Sequence, residues 1–286
     1  MKIKDKFEAE AYFKELSSLI MEFTTNYSQQ VIQKILEKEE YITEPKRFYY
    51  TLIHKTNCTL DSANIFIRNF DSKRNYHSSL FILLRSILND IILAEFIIIN
   101  TENDVEKKEL IERIYFDHID NVIKTCEKTL RHLHRWDSEQ TEKQIKDIKK
   151  NSRFFDLKGE PKLKPIASSP NPIIRKIFAK NLKEGNSKLL KIAFDQFSLF
   201  SKFEHFGELS FKLTHRGYDD NEQQNLRSEL HYSIRIIISA LNNYAKLWDE
   251  EININPEYFS KLLTEITELL PEKINCAQQR TVLKNK

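Results

Sequence analysis

The chain has 286 residues, of which 45 are Lys or Arg and 42 are Asp or Glu, giving a formal net charge of +3. Such a balanced charge gives no global indication of a nucleic-acid or membrane partner. Only 4 glycines and 7 prolines occur, whereas β-sheet proteins need frequent turns built largely from Gly, Pro, Asn and Asp. The composition therefore excludes a β-rich fold and predicts an all-α bundle of about eight to nine helices.

The three cysteines, Cys58, Cys126 and Cys276, are far apart and follow neither Cys-x-x-Cys nor Cys/His spacing. They predict reduced thiols, with no disulfide framework and no zinc site, and hence a cytoplasmic protein. The first ten residues alternate charged and apolar side chains and lack the apolar core of a signal peptide. We expect neither a metal ion nor another cofactor.

Apolar residues recur at helical spacing along most of the chain, and polar or proline-containing breaks separate the predicted helices. These helices cover approximately residues 5–40, 45–71, 76–100, 103–135, 137–150, 173–183, 187–215, 221–250 and 255–270. The segment 151–172 holds four of the seven prolines and is predicted to be a loop. It would join possible halves 1–150 and 173–270 of a single helical domain, 1–270, which a polar tail, 271–286, follows.

The third predicted helix contains the most apolar stretch of the chain, residues 79–99, yet Arg85, Asp90 and Glu95 lie within it. Each charge near the middle of a membrane would cost about 2.5–3.5 kcal/mol. A helix that is apolar on nearly every side is better explained as the centre of a bundle. We therefore predict a central helix over about residues 76–100 and no membrane partner.

Polar residues form a ribbon along this helix. At about 100° per residue, Ser78, Arg85 and Asn89 fall close to one line, and Ser86 and Asp90 fall close to the next. A buried guanidinium needs a carboxylate or several other acceptors. Two interpretations stay open: a hydrogen-bond network that fixes the register of the bundle, or the lining of a cleft.

A second polar stripe follows later in the chain. Glu204, Glu208, Phe211 and His215 share one helical face at spacings of four, three and four. Glu208 and His215 are suited to act as general base and acid, or to hold Arg85 by charge-assisted hydrogen bonds. An enzyme that binds a small ligand near Arg85 and His215 is one function that this arrangement allows.

Arg113 and His118 form an Arg-x4-His motif on the fourth predicted helix. The motif resembles that of the helical HEPN-type ribonucleases, which carry it on a helix. The resemblance implies a metal-independent ribonuclease, in which Arg113 and His118 come together at the interface of a homodimer.

A wider pattern resembles uncharacterised helical prokaryotic proteins close to the HEPN and abortive-infection families. It consists of an Arg followed by polar residues on an apolar helix, Leu84–Asp90, and a later Glu-Leu-Ser-x4-His segment, Glu208–His215. This resemblance implies a helical bundle with a role in phage defence or toxin–antitoxin biology. Arg85 and His215 are the positions that would carry over.

A basic stripe follows Arg113 in the same helix. Its members Lys124, Lys128, Arg131 and Arg135 recur at spacings of four, three and four, and Trp136 comes directly after them. Further along the chain, Lys146, Lys149, Lys150 and Arg153 extend the charge towards the predicted loop. A line of cations suits phosphates and an indole suits stacking with bases, so the stripe predicts contact with RNA or single-stranded nucleic acid. The alternative is a solvated face paired with neighbouring carboxylates.

The sequence thus leaves three functions open. The first is a defence- or stress-related module that contacts nucleic acid, and its most specific form is a HEPN-like ribonuclease. This hypothesis predicts that Arg113 and His118, or Arg85 and His215, converge in an open cleft. The second is a protein–protein interaction module, which predicts that Arg85 is enclosed and satisfied. The third is the helical enzyme with a small ligand, and whether the chain is an enzyme at all stays undecided.

Overall fold

A computed structural model describes residues 3–38, 44–71, 76–133, 138–166, 188–204, 220–248, 252 and 255–269. Most of these residues are helical, and within the described ranges the only β-type pairing is an isolated bridge between Phe155 and Pro161. The prediction of an all-α, multi-helix bundle is confirmed.

The first helix, α1 (Ile3–Tyr27), continues through a π-helical turn (Ser28–Ile32) into the short helix α2 (Gln33–Leu36). The later helices are α3 (Glu44–Arg68), α4 (His77–Asn100), α5 (Asp104–Leu133), α6 (Ser138–Asn151), α7 (Lys188–Glu204), α8 (Asp220–Ala245, followed by a 3-10 turn, Lys246–Trp248) and α9 (Pro256–Glu268). The predicted helix over 173–183 and the predicted continuation of α7 to residue 215 lie outside the described residues, as does the tail 271–286.

The start of α9 follows directly from its sequence. The side chain of Asn255 accepts a hydrogen bond from the backbone N–H of Tyr258, and Pro256 occupies the first helical position. An Asn cap satisfies a backbone donor that has no partner within the helix, and proline has no donor to satisfy there. The helix start predicted from Asn255 and Pro256 is therefore confirmed.

The chain divides into two compact units. The first unit comprises Met1–Glu95 and Lys183–Lys286, and the second unit comprises Phe96–Leu182. The boundary at residue 95 falls within α4, so the last turn of that helix belongs to the second unit. The possible halves 1–150 and 173–270 divide the chain at different places.

The first unit is built around the apolar face of α1 and the nearly all-apolar α4. Apolar side chains of α1 at spacings of three and four are fully buried: Phe13, Leu16, Ile20, Phe23 and Tyr27. Two amides of α3 fix its register on α1, because Asn64 donates to the carbonyl of Ser17 at 2.9 Å and Asn57 to that of Thr24 at 3.1 Å. Each fully buried apolar side chain contributes about 1.5–3 kcal/mol.

The helix α4 contacts α3, α7 and α8 through its side chains. Its Phe81 ring lies 4.9 Å from the ring of Phe200 and 4.4 Å from that of Phe203, both in α7. Other contacts of α4 reach α3 and α8, through Asp90 and Glu95 respectively. Among the described helices, none is long and apolar enough to cross a membrane.

The second unit has a small core of its own. Buried side chains from α5, α6 and the segment that follows α6 form it: Phe116, Ile123, Ile145, Phe154 and Phe155. The rings of Phe154 and Phe155 lie 6.1 and 5.8 Å from that of Phe116. Up to residue 166, the proline-rich segment is therefore folded onto α5 and α6, because its two adjacent phenylalanines belong to that core.

Candidate functional site

Arg85 links α4 to α7. Its Nε donates to the hydroxyl of Ser201 at 2.9 Å, and its guanidinium carbon lies 4.9 Å from the centre of the Phe197 ring. The Ser201 hydroxyl donates in turn to the carbonyl of Phe197 at 2.7 Å. A guanidinium over an aromatic face is attracted by the negative face of the ring. Arg85 is thus held in one orientation while staying half-buried rather than fully enclosed.

The other charged member of the polar ribbon has a different partner. Asp90 forms an ion pair of 2.6 Å with Lys55 of α3, and its side chain is largely buried. Arg85 and Asp90 are five positions apart, which corresponds to about 140° around a helix. The ribbon therefore joins α4 to two different helices, since Arg85 contacts α7 and Asp90 contacts α3.

Several predicted site residues lie outside the described residues. These are Glu208 and His215 of the second stripe, and Arg135 and Trp136 of the basic stripe; for Arg131 the helix is described but the side chain is not. The pairing of Arg85 with Glu208 or His215 accordingly stays a prediction.

The Arg-x4-His motif lies in α5. The Nε of Arg113 donates to the backbone carbonyl of Lys164 at 3.4 Å, whereas His118 is exposed. The five-residue spacing points the two side chains about 140° apart on a regular helix. One copy of α5 therefore does not bring Arg113 and His118 together, and their convergence would need a second copy of the chain.

The described part of the predicted basic stripe is partly neutralised. Lys124 pairs with Asp120, four residues earlier, at 2.5 Å, and this hydrogen bond raises the pKa of Lys124. Lys128 is exposed, while the neighbouring Glu127 pairs with Lys149 of α6 at 3.9 Å. Such exposed pairs contribute little to stability.

A denser group of exposed cations follows this stripe in the sequence, in α6 and the segment after it. Residues 143–164 contain eight Lys or Arg and three Asp or Glu. Seven of the eight basic side chains are exposed: Lys143, Lys146, Lys150, Arg153, Lys158, Lys162 and Lys164. We call these seven side chains the basic surface. The sequence indicated only its beginning, because it does not show that the segment after α6 is folded onto α5.

The first unit contains a buried polar cluster that sequence reasoning missed. Arg227 of α8 forms an ion pair of 3.0 Å with Asp71, whose side chain is only 1% exposed against 15% for Arg227. Gln223 donates to the same Asp71 oxygen at 3.0 Å. A buried charge needs such compensation, since an unpaired one is very costly.

A buried histidine lies one turn further along α8. The Nδ1 of His231 is hydrogen-bonded to the hydroxyl of Tyr12, and burial, reinforced by the charge of Arg235, lowers the pKa of His231 to about 4. Burial and the charge of Asp71 raise the pKa of the Tyr12 hydroxyl. Within the described residues, three buried atoms of this cluster make no hydrogen bond: Asp71 Oδ2, Arg227 Nη2 and His231 Nε2. The sequence signal that could have revealed this cluster is the pair Arg227 and His231. They lie four residues apart, between Leu226, Leu230 and Ile234, which are buried.

A third polar group surrounds Glu95. The hydroxyl of Tyr244 donates to this carboxylate at 2.8 Å, and the ring of Tyr49 lies 5.8 Å from that of Tyr244. Burial raises the pKa of Glu95, and the hydrogen bond from Tyr244 opposes that shift. The charge that argued against a membrane span is thus accommodated by a tyrosine of α8.

In the described ranges, no group of three or more His, Cys, Asp or Glu side chains is placed to hold a metal ion. No protein-family model, curated protein or solved structure gives a significant match to the chain.

Proposed function

We propose that the chain is a helical module that contacts nucleic acid through the basic surface of its second unit. The distribution of charge carries this proposal. Lys and Arg number 18 against 14 acidic residues in the second unit, and 27 against 28 in the first. The positive charge of the whole chain is thus concentrated in one unit, where contact with phosphates would release condensed counterions.

The arrangement of the lysines supports contact with a phosphate backbone. Lys143, Lys146 and Lys150 recur at spacings of three and four, so they share one face of α6, and all three are exposed. In the described part of the chain they form no ion pair, whereas Arg153 is paired with Glu112 at 2.6 Å. Unpaired ammonium groups on one rigid helix are suited to successive phosphates because they need not first break an internal pair.

Charge removal tests this proposal. Fluorescence anisotropy with labelled single-stranded RNA and duplex DNA would compare the wild type with the double variant Lys146→Gln, Lys150→Gln. The matched control is Lys14→Gln, Lys38→Gln, which removes two exposed lysines from the first unit. We expect only the first variant to bind more weakly than the wild type. The slope of the logarithm of its affinity against the logarithm of the salt concentration should fall by about one for each phosphate contact that is lost. Equal binding by all three proteins would contradict the proposal.

A ribonuclease is the finer form of this proposal. It is supported by the exposure of His118, which leaves the imidazole accessible to a substrate or to a second copy of the chain. Incubation with total RNA would compare the wild type with His118→Ala and Arg113→Ala, each checked for folding by circular dichroism. Cleavage that is lost in folded variants supports the nuclease; cleavage retained in both would assign the activity to other residues, such as Arg85 and His215.

A protein–protein interaction module is the second candidate function. It is favoured by the contacts of Arg85, which joins α4 to α7 through Ser201 and Phe197, whereas the half-buried state of the side chain does not match the enclosed Arg85 that this candidate predicts. This candidate predicts no salt-dependent binding of nucleic acid by any variant. A role in phage defence or stress belongs to the nucleic-acid proposal and rests on the family resemblance alone.

A further inference from the structure

The ion pair between Asp71 and Arg227 is closed on one side only. A guanidinium and a carboxylate commonly pair through two parallel hydrogen bonds, one of them from Nε and the other from a terminal nitrogen. Here the Nε of Arg227 donates to Oδ1 of Asp71 at 3.0 Å. The other two atoms, Arg227 Nη2 and Asp71 Oδ2, are shielded from solvent and make no hydrogen bond within the described residues. A donor and an acceptor thus lack partners on two groups that are already in contact.

Neighbouring glutamines hold the pair in this half-closed arrangement. Gln223 donates to the same Oδ1 of Asp71 at 3.0 Å, so two donors share one carboxylate oxygen. The remaining terminal nitrogen of Arg227, Nη1, donates to the side-chain oxygen of Gln224 at 3.2 Å. Because these hydrogen bonds orient both the carboxylate and the guanidinium, the two unpartnered atoms occupy fixed positions.

The nearby tyrosine does not supply the missing donor. Burial and the charge of Asp71 raise the pKa of the Tyr12 hydroxyl, which places this hydroxyl close to the carboxylate. Its hydrogen bond is nevertheless made with Nδ1 of His231. A buried polar atom without a partner costs stability, and the cost is larger for a charged group. A further molecule that brings one donor and one acceptor would remove this cost.

The two unpartnered atoms lie just beneath the surface of the first unit. The side chain of Asp71 is 1% exposed, whereas that of Arg227 is 15% exposed. The guanidinium therefore lies between the buried carboxylate and solvent. The side of Arg227 is the shortest way in for a ligand.

We propose that the Asp71–Arg227 pair is a binding site for an amide whose N–H and C=O groups lie on the same side, as in a primary carboxamide or a lactam. The amide N–H donates to Asp71 Oδ2 and the amide oxygen accepts from Arg227 Nη2. The pair has no net charge, so a neutral ligand matches it better than an anion, which would face the carboxylate. This site belongs to the first unit and does not depend on the proposed contact with nucleic acid.

A single water molecule is the competing occupant. Water has both donors and acceptors, and it commonly bridges buried polar groups of this kind. A carboxamide or lactam replaces both of these hydrogen bonds, so displacing the water by the amide loses none of them. Binding of an amide therefore distinguishes a ligand site from a hydrated ion pair.

Two compounds of similar size test the site in the wild-type protein. Saturation-transfer NMR would compare 2-pyrrolidone, a lactam with an N–H group, with N-methyl-2-pyrrolidone, which keeps the C=O group but has no donor. We expect 2-pyrrolidone to bind, with the weak affinity of a very small ligand. The methylated compound should bind at least about tenfold more weakly, because Asp71 Oδ2 would stay without a partner.

Exchanging one atom of the pair should change which ligand binds. Asp71→Asn presents an NH₂ group in place of Oδ2, because Gln223 and Arg227 already donate to the other oxygen. Two donors then face the ligand, so binding of 2-pyrrolidone should fall at least about tenfold, and acetate, which offers two acceptors, should bind instead. The matched control is Asp61→Asn, the same change at an exposed carboxylate of α3. It should bind 2-pyrrolidone as the wild type does.

Several results would overturn the amide site. These are equal binding of the two compounds by the wild type, and 2-pyrrolidone binding that is unchanged in Asp71→Asn. The absence of 2-pyrrolidone binding to the wild type would also overturn it and leave water as the occupant. The comparison of the two compounds needs no variant, so it decides the question even if Asp71→Asn does not fold. Arg227→Lys, which keeps the charge but removes Nη2, is the second variant, and wild-type binding by it would contradict the site.

Discussion

Mild acid is expected to destabilise the first unit through His231. In the folded chain this imidazole is buried against Tyr12, near Arg235, and its pKa is about 4 instead of 6.5. The unfolded chain therefore binds the proton more readily, so the contribution of His231 to stability is complete above pH 6.5 and is lost as the pH falls towards 4. With these two values, the loss between about pH 7.5 and pH 5 is roughly 2 kcal/mol.

A single tryptophan can report this loss for the first unit alone. The chain has 2 tryptophans, and Trp248 is buried in the first unit. In a Trp136→Phe background, urea denaturation followed by the fluorescence of Trp248 gives the free energy of unfolding of that unit at each pH. The comparison variant is His231→Asn, whose amide still offers a hydrogen bond to Tyr12 but does not titrate. Other histidines and all carboxylates are common to both proteins, so the difference between their pH dependences isolates His231.

The reasoning about His231 is tested by that difference. We expect the wild type to lose roughly 2 kcal/mol more than the variant over this pH range. Parallel pH dependences would mean that the imidazole is solvated or charged in the folded chain, which would refute its assignment as a neutral core residue.

Three further predictions concern buried and half-buried polar groups of the first unit, and the same tryptophan reporter measures each. Asp71→Asn leaves the guanidinium of Arg227 without a counter-charge and should lower the free energy of unfolding by about 3 kcal/mol. A loss below about 1 kcal/mol would show that water already compensates the charge of Arg227. Glu95→Gln keeps a partner for the Tyr244 hydroxyl and removes a buried charge, so it should raise the urea midpoint at pH 8. The difference in midpoint between variant and wild type should shrink at lower pH, because acid protonates the wild-type carboxyl. A difference in urea midpoint that does not change with pH would refute the raised pKa of Glu95. Arg85→Met should cost about 1 kcal/mol through the lost hydrogen bond and aromatic contact, and a stabilised variant would contradict the role of Arg85 as a link.

Features that depend on local pattern could be read from the sequence. The extent of α4, His77–Asn100, followed from its nearly continuous apolar residues. The start of α9 followed from Asn255 and Pro256, because caps act within one turn of a helix. The π-helical turn after α1 left no such local sign, since its residues are as helix-compatible as their neighbours.

Features that depend on pairing between distant residues could not be read in this way. Asp71 and Arg227 are 156 residues apart, and hydrophobic periodicity contains no information on which helices meet. The same limit applies to Phe154 and Phe155, which looked like part of a linker but belong to the core around Phe116. Their burial explains why the division between the two units does not fall in the proline-rich segment.

The candidate site was predicted only in outline. The sequence pointed to a basic stripe on α5, where Lys124 is paired with Asp120, and to its extension by Lys146, Lys149, Lys150 and Arg153. The basic surface lies on α6 and the folded segment after it, where all seven of its side chains are exposed. Charge counting finds the cations, whereas only the fold shows which of them are exposed.

The salt dependence of binding tests the central claim most directly. The dissociation constant of the wild type for a duplex DNA would be measured by fluorescence anisotropy between about 50 and 200 mM salt, and its logarithm plotted against the logarithm of the salt concentration. If three or more lysines of the basic surface contact phosphates, binding weakens with a slope of about three or more, and Lys146→Gln with Lys150→Gln lowers that slope by about two. Binding that is absent at the lowest salt, or that does not change with salt, would contradict a nucleic-acid contact through this surface.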